Sequence, residues 1–270
     1  MMRPLGVLLL LAGCLPPSSE VKSGGTLAAA DLPAEVPALI KFSDDNYVKQ
    51  NSTAIGYALS ALDKAHGLDG KNYEIEWRGA RSAAWLAEDV GDQPVRVKLS
   101  ERGIEFGTLA VTLDKQRVEG HYYLAIAIGL LATTKTTGAT ELVPKVFQAG
   151  KDALAIDERY DSGGPLRLVG AIYAKVPVWP VSVGDPDEAV KQLRRAVQLY
   201  PQYPQNHLLF GDALVADEKL PEAEREYRYV LAFAPRPEWA HKLNAWRKEA
   251  EHGLRRIETK RRGKGGSDPF

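Results

Sequence analysis

The chain repeats itself at a fixed interval. Ala189, Leu193, Ala196 and Pro201 return 34 residues later as Ala223, Tyr227, Val230 and Pro235. Four coincident offsets constrain the fold more than composition does. A unit of this length holds two helices and their turns, cannot bury its apolar face alone, and has to stack on neighbouring units. The residue types suit that geometry. Alanine and glycine let two helices approach closely, and a large residue fills the hole between neighbouring units. Proline ends the second helix, because it has no N–H to donate and disfavours a helical residue before it. Gly211 and Leu214 supply the small and large positions of the second unit's first helix.

A 34-residue period is the tetratricopeptide interval, so the expected fold is all-α, a tetratricopeptide-like superhelix of helix pairs with roughly 10 helices. Earlier units are less regular. Ala54, Ile55, Ala58, Leu59, Ala61 and Leu62 follow helical spacing. Trp77, Ala80 and Arg81 open one candidate unit, with Gly103, Phe106 and Ala110 on its second helix. Tyr122, Tyr123, Ala125 and Gly129 open the next, with Val146, Ala149, Ala153 and Leu154 opposite. The apolar run 122–132 is shorter than the roughly 20 residues a bilayer needs and reads as a buried helix. Trp239, Leu243 and Trp246 are expected on a final capping helix, whose polar outer face comes from His241 and the Arg247-Lys248-Glu249 run. One interruption stands out: Pro177 and Pro180 each cost about 3 kcal/mol inside a helix. The chain is therefore expected to leave the helix near Lys175 and re-enter one near Asp185, with Trp179 between, sealing the stack or lining a cavity.

The start of the chain sets an expected address. Met1-Met2-Arg3 precedes a short apolar run, 5–12, that ends Leu11-Ala12-Gly13-Cys14, the pattern of a secretory signal. The last four residues resemble the bacterial lipobox, which implies removal of residues 1–13 and a diacylglycerol on Cys14. Several acyl chains on one residue suffice for stable anchoring. Leu15, where an inner-membrane retention signal has Asp, implies by the same resemblance an outer-membrane anchor facing the periplasm. Residues 14–37, rich in Pro, Ser and Gly, read as a tether; 38–258 as the helical domain; and 259–270 as a basic disordered tail. One cysteine allows neither an intrachain disulfide nor a Cys-based zinc site. Thirty-five basic residues balance thirty-five acidic ones, which gives no field to gather nucleic acid.

The stretch 77–246 resembles a lipoprotein group through EWRGAR, HYYLAIAIG, DSGGPLRLVGAIYAKVPVWPVSVGD and AVKQLRRAVQLYPQYPQNHLLFGDAL. It is similar to the T-component (TatT) family of tripartite ATP-independent periplasmic (TRAP) transporters. That resemblance implies a lipidated helical repeat protein, a homotrimer, and a periplasmic solute-binding protein as partner, with no catalytic residue to carry over and no cofactor. The alternative is a structural or assembly lipoprotein of an envelope complex.

Two residue sets invite a chemical reading. Arg78, Arg81 and Arg167 fall on first helices, beside Trp77, Tyr123, Tyr173 and Trp179. Arginine among aromatics in a groove suits a partner or a small hydrophobic ligand with a carboxylate end. In the competing reading, the aromatics are inter-repeat core and the arginines cap helix ends. Asp161-Ser162-Gly163-Gly164-Pro165 looks like the nucleophile motif of chymotrypsin-like proteases, with His66 as a conceivable base, but helices flank it. The simpler reading is a chain break at Gly163-Gly164 and a helix start at Pro165. His66, His121, His207, His241 and His252 show no HExxH spacing and no expected metal site.

Overall fold

The computed structural model describes residues 26–135, 137–178, 180–236 and 239–265. Cys14, the signal segment, the tether up to residue 25, and Trp179 lie outside the described residues. The described residues form 11 α-helices, two short 3-10 turns and one isolated bridge. The chain divides into two compact units, one ending at Asp157 and the other beginning at Glu158.

The N-terminal unit holds α1 (Val36–Tyr47), α2 (Ser52–Leu68), α3 (Tyr73–Asp89), α4 (Gln93–Leu113), α5 (Val118–Thr134) and α6 (Val143–Ile156). The C-terminal unit holds α7 (Tyr160–Lys175), α8 (Pro186–Leu199), α9 (Pro204–Ala216), α10 (Leu220–Ala232) and α11 (Ala240–Gly265). Short polar residues start many of these helices by accepting an otherwise orphaned N–H. Asn51, Asn72, Asp92 and Asp185 receive hydrogen bonds from Ala54, Glu74, Val95 and Glu188 respectively. Proline occupies the first turn of α8, α9 and α10, where its missing N–H costs nothing.

In each unit every helix packs on the next, and first helices of successive pairs also touch, as α3 does α5 and α9 does α11. The backbones of second helices stand farther apart: no Cα of α4 comes within 8 Å of one on α6, nor of α8 within 8 Å of one on α10. The small–large rule read from the repeat is realised twice. A Cβ on Gly170 would lie 2.6 Å from Leu193, and one on Gly211 would lie 2.7 Å from Tyr227. Leu193 and Tyr227 are the 34-residue pair, and each is fully buried in the same core with Leu208, Leu214 and Trp246.

The expected break falls where the prolines place it. α7 ends at Lys175, and Asp185 caps α8. Between them the chain is held by its own backbone, with Gly184 N–H on Pro177 O (2.9 Å) and Asp185 N–H on Tyr173 O (3.0 Å). The run 122–132 is a buried part of α5, and no described helix is long and apolar enough to cross a membrane.

Three boundaries differ from the sequence expectation. The helical body begins before residue 38: Pro37 sits in the first turn of α1, and Leu32 is already buried against α2 and α3 residues. Trp239 precedes α11 and packs edge-on against Tyr203. Residues 259–265, expected to fray, continue α11 as helix. The reason is anchoring: Ile257 is buried, Lys260 Nζ reaches Val215 O (3.3 Å), and Arg261 pairs with Glu224 (2.8 Å).

Candidate functional site

In the N-terminal unit, Trp77, Arg78, Arg81 and Tyr123 do come together. Trp77 and Arg78 are consecutive on α3, Arg81 lies one turn on, and Tyr123 faces them from α5. The Trp77 and Tyr123 rings stack at 6.3 Å. The Arg78 and Arg81 guanidiniums lie 4.4 and 4.8 Å from the Trp77 ring, and Arg81 also covers Tyr47 at 3.7 Å. Both cations are already paired within the chain. Asp44 on α1 accepts Arg78 Nε at 3.0 Å on both oxygens and Arg81 Nη2 at 3.0 Å. Glu74 binds Arg78, Arg117 and Trp77 Nε1, and Arg117 also holds Glu119 (2.8 Å). Three guanidiniums therefore face three carboxylates. Partial burial of Glu74 works against its ionised form, yet hydrogen bonds from Arg117, Trp77 and Arg78 hold its carboxyl down to about 2. A carboxylate ligand at this site has to displace Asp44.

A second feature of the same unit escaped the sequence reading. Between α4 and α6 lies a groove of about 910 Å³. Its floor is one stripe of α5: Leu124, Ile128 and Leu131, spaced i, i+4, i+7. The α4 wall repeats the spacing with Ile104, Thr108 and Val111, and the other wall comes from Leu142, Pro144 and Ala149. Charged residues stand at the rim: Glu101 and Glu105 on α4, Lys145 and Asp152 on α6. Its volume lies at the upper end of the range for ligand pockets, and its lining is mostly apolar.

In the C-terminal unit, Arg167 is 5% exposed and holds the turn that opens α7. Asp161, Ser162 and Gly163 have φ of 47°, 54° and 84°, a left-handed turn that only the glycine adopts without strain. Arg167 donates to Ser162 O (2.8 Å), Asp161 O (2.9 Å), Asp161 Oδ2 (2.9 Å) and Asn206 Oδ1 (3.1 Å). Its guanidinium also covers the Tyr203 ring at 4.6 Å. This is the helix-end capping reading of the arginine. The Ser162 segment is a strained turn, followed by Pro165 in the first turn of regular helix. Tyr173, half-buried on α7, packs against the core that contains Leu193 and Tyr227.

His66, half-buried, and His207, buried, lie against carboxylates, and buried His121 has Nε2 3.2 Å from Lys115 O. His66 Nδ1 lies 2.7 Å from Glu76 Oε1, and His207 Nδ1 lies 2.6 Å from Glu226 Oε2. Among the described residues, no group of three His, Cys, Asp or Glu side chains is placed to hold a metal ion.

Residues 181–245 match the tetratricopeptide repeat family. The fold is of the tetratricopeptide-repeat type. Among solved structures, TTC0263, a thermophilic TPR protein of Thermus thermophilus, matches with a TM-score of 0.60 and 18% identity, covering 82% of this chain and 99% of that one. YrrB, a TPR protein with an unusual peptide-binding site, gives a TM-score of 0.49 at 14% identity over 82% of this chain and 92% of its own. MamA gives 0.47 at 16% identity over 87% and 96%. At these identities the likeness is one of fold. No curated protein matches the chain in sequence.

Proposed function

We propose that this scaffold binds a protein partner from the periplasmic face of the outer membrane, held there by lipid on Cys14. In this reading it serves as a T-component-like partner of a periplasmic solute-binding protein in TRAP-type uptake. The observation that carries the binding role is the apolar groove between α4 and α6, rimmed by charge in a stack of tetratricopeptide type. Apolar floor with polar rim is the anatomy of a recognition surface. The Leu11-Ala12-Gly13-Cys14 sequence supports the anchor. The aromatic–arginine cluster on α3 and α5 is a second surface for a small hydrophobic ligand, on condition that Asp44 yields. A homotrimer belongs to the same resemblance.

Crosslinking in intact cells, followed by identification of what is captured, tests the role. Capture of a solute-binding protein supports it; capture of envelope-assembly machinery alone replaces it with the structural-lipoprotein reading. Radiolabelled palmitate tests the anchor: the label should enter the wild type and be absent from Cys14→Ser. A serine-directed probe that labels the wild type and not Ser162→Ala would instead establish a hydrolase.

A further inference from the structure

The backbones of second helices of neighbouring pairs stay apart in either unit, and side chains close the gap between them. Two such gaps are closed in the same way. Between α2 and α4, Arg102 donates Nη2 and Nε to Asp63 Oδ1 at 2.6 and 2.9 Å, with its guanidinium 4.0 Å from the Phe106 ring. Between α8 and α10, Arg194 reaches Glu222 at 3.3 Å, with its guanidinium 4.9 Å from the Phe210 ring. Each gap is spanned by an arginine lying across an aromatic ring and pairing with an acid on the far helix.

The gap between α4 and α6 has the acids and no such arginine. Glu101 and Glu105 stand on the α4 side and Asp152 on the α6 side, and no hydrogen bond or ion pair joins the two helices among the described residues. Glu105 pairs backward with Arg102 (2.8 Å), and Asp152 accepts from Gln148 (2.7 Å) on its own helix and faces buried His121 of α5, whose Nδ1 lies 3.8 Å from Asp152 Oδ2. Among the described residues that line the groove, Lys145 is the one lysine or arginine, set against three carboxylates. Beneath them Leu124 is half-buried, and Ile128 and Leu131 lie at the bottom of the cleft with 7% and 9% of their surface exposed.

We infer that this groove receives an amphipathic helix of a partner protein, with apolar residues on Leu124, Ile128 and Leu131 and an arginine or lysine set among Glu101, Glu105 and Asp152. The partner's cation takes the place that Arg102 and Arg194 fill elsewhere in the chain. The i, i+4, i+7 floor matches the spacing of one face of a helix, so the occupant's anchors follow the same period. Filling the cleft and covering the half-buried Leu124, Ile104, Val111 and Leu142 supplies affinity, and the acidic rim selects the sign of the partner and speeds its arrival. This inference rests on the protein-binding reading above and adds the chemistry of the partner's contact.

The test uses the full chain and two synthetic helical peptides roughly four turns long. Both carry leucines at i, i+4 and i+7; one has arginines on its flanks and the other glutamates. Fluorescence anisotropy should show the arginine peptide binding at least about tenfold more tightly, with affinity falling as salt rises. Glu101→Lys should weaken it roughly fivefold, the effect of reversing one exposed ionic contact. Thr108→Arg, which places a cation from α4 over the groove, should abolish binding while circular dichroism and melting temperature stay unchanged. Lys248→Glu, at an exposed position of α11, should have no effect. Equal affinity for the two peptides, or binding untouched by Thr108→Arg, overturns the proposal. So does a groove that prefers phosphatidylglycerol–phosphatidylethanolamine vesicles to both peptides. If neither peptide binds, the groove assignment fails alone, because the wider scaffold role is judged by the crosslinks captured in cells.

Discussion

Tyr227 offers the sharpest test of how the repeat geometry holds the C-terminal unit together. Its ring is fully buried, filling space against Gly211 on α9 and Gly253 on α11, two positions with no side chain to collapse inward. Its hydroxyl donates to Asp212 Oδ1 (2.7 Å) and accepts from Arg256 Nη2 (3.0 Å). Burial, with the Asp212 charge beside it, pushes the phenol's ionisation far above its ordinary range, so the group stays a donor. Tyr227→Phe removes the hydroxyl, but Asp212 and Arg256 still pair with each other, and Arg256 is half exposed. The expected cost is about 1 kcal/mol. Tyr227→Ala empties the hole between two glycine backbones and should cost about 3–5 kcal/mol. Urea unfolding followed by circular dichroism separates the two, provided the denaturant slope is unchanged. Equal losses for the two variants would show that the hydroxyl network, not the ring, carries the stability. A loss below about 1 kcal/mol for Tyr227→Ala would refute the hole-filling argument itself.

Other consequences follow from single residues. Arg167→Lys keeps the charge but loses the planar fork that holds two carbonyls of the left-handed turn and Asn206, and should lower stability by roughly 2–3 kcal/mol in the same unfolding assay. Gly163→Ala places a Cβ at φ 84° and should cost about 1–2 kcal/mol. Burial raises the Glu76 carboxyl above its usual range, with the His66 hydrogen bond pulling the other way. A folded-state value above the unfolded one means that this group's contribution is present at acid pH and is lost as pH rises through the folded value. Melting temperatures should therefore show Glu76→Gln gaining on the wild type from acid toward neutral pH, and a growing deficit instead would mean that the charged His66–Glu76 pair is the stabilising species. Glu74 acts with the opposite sign: its carboxyl, held near 2, contributes above the ordinary carboxylate range and is lost as pH falls toward 2. Glu74→Gln should accordingly flatten the acid limb of the stability curve.

Much of the architecture was legible in sequence because it depends on residue type at fixed spacing. Leu193 and Tyr227 follow from one 34-residue period, and Gly211 from one rule about size; Gly170, which receives Leu193, lies 41 residues before Gly211 and off that period. The break between Lys175 and Asp185 follows from two prolines. What stayed hidden depends on who sits opposite whom. Asp44 lies far from Arg78 and Arg81 in the chain, and nothing in its neighbourhood marks it as the partner of both. The basic end of α11 reads as a solvated tail until Asp212, Val215 and Glu224 are seen beneath it. Leu124, Ile128 and Leu131 read as core, and the last two are buried; the cleft above them depends on how far α4 stands from α6, which helical spacing does not report.

The arginines draw these threads together. Arg78 and Arg81 lie against Trp77 and share Asp44, Arg167 holds a strained turn under Tyr203, and Arg102 and Arg194 span gaps between helices across phenylalanine rings. In each place a guanidinium lies over an aromatic face and finishes on an acid or a carbonyl. That arrangement suits arginine, whose weakly hydrated plane stacks on rings while its edge donates. Residue type alone therefore does not distinguish a binding arginine from one that holds the stack, and the arginines of the first helices are spent within the fold. The groove between α4 and α6 departs from the pattern in what it lacks. Its acids stand over an apolar floor, and no arginine of the described residues spans from α4 to α6. The surface best suited to recognition lies between second helices, away from the first-helix residues that the sequence put forward.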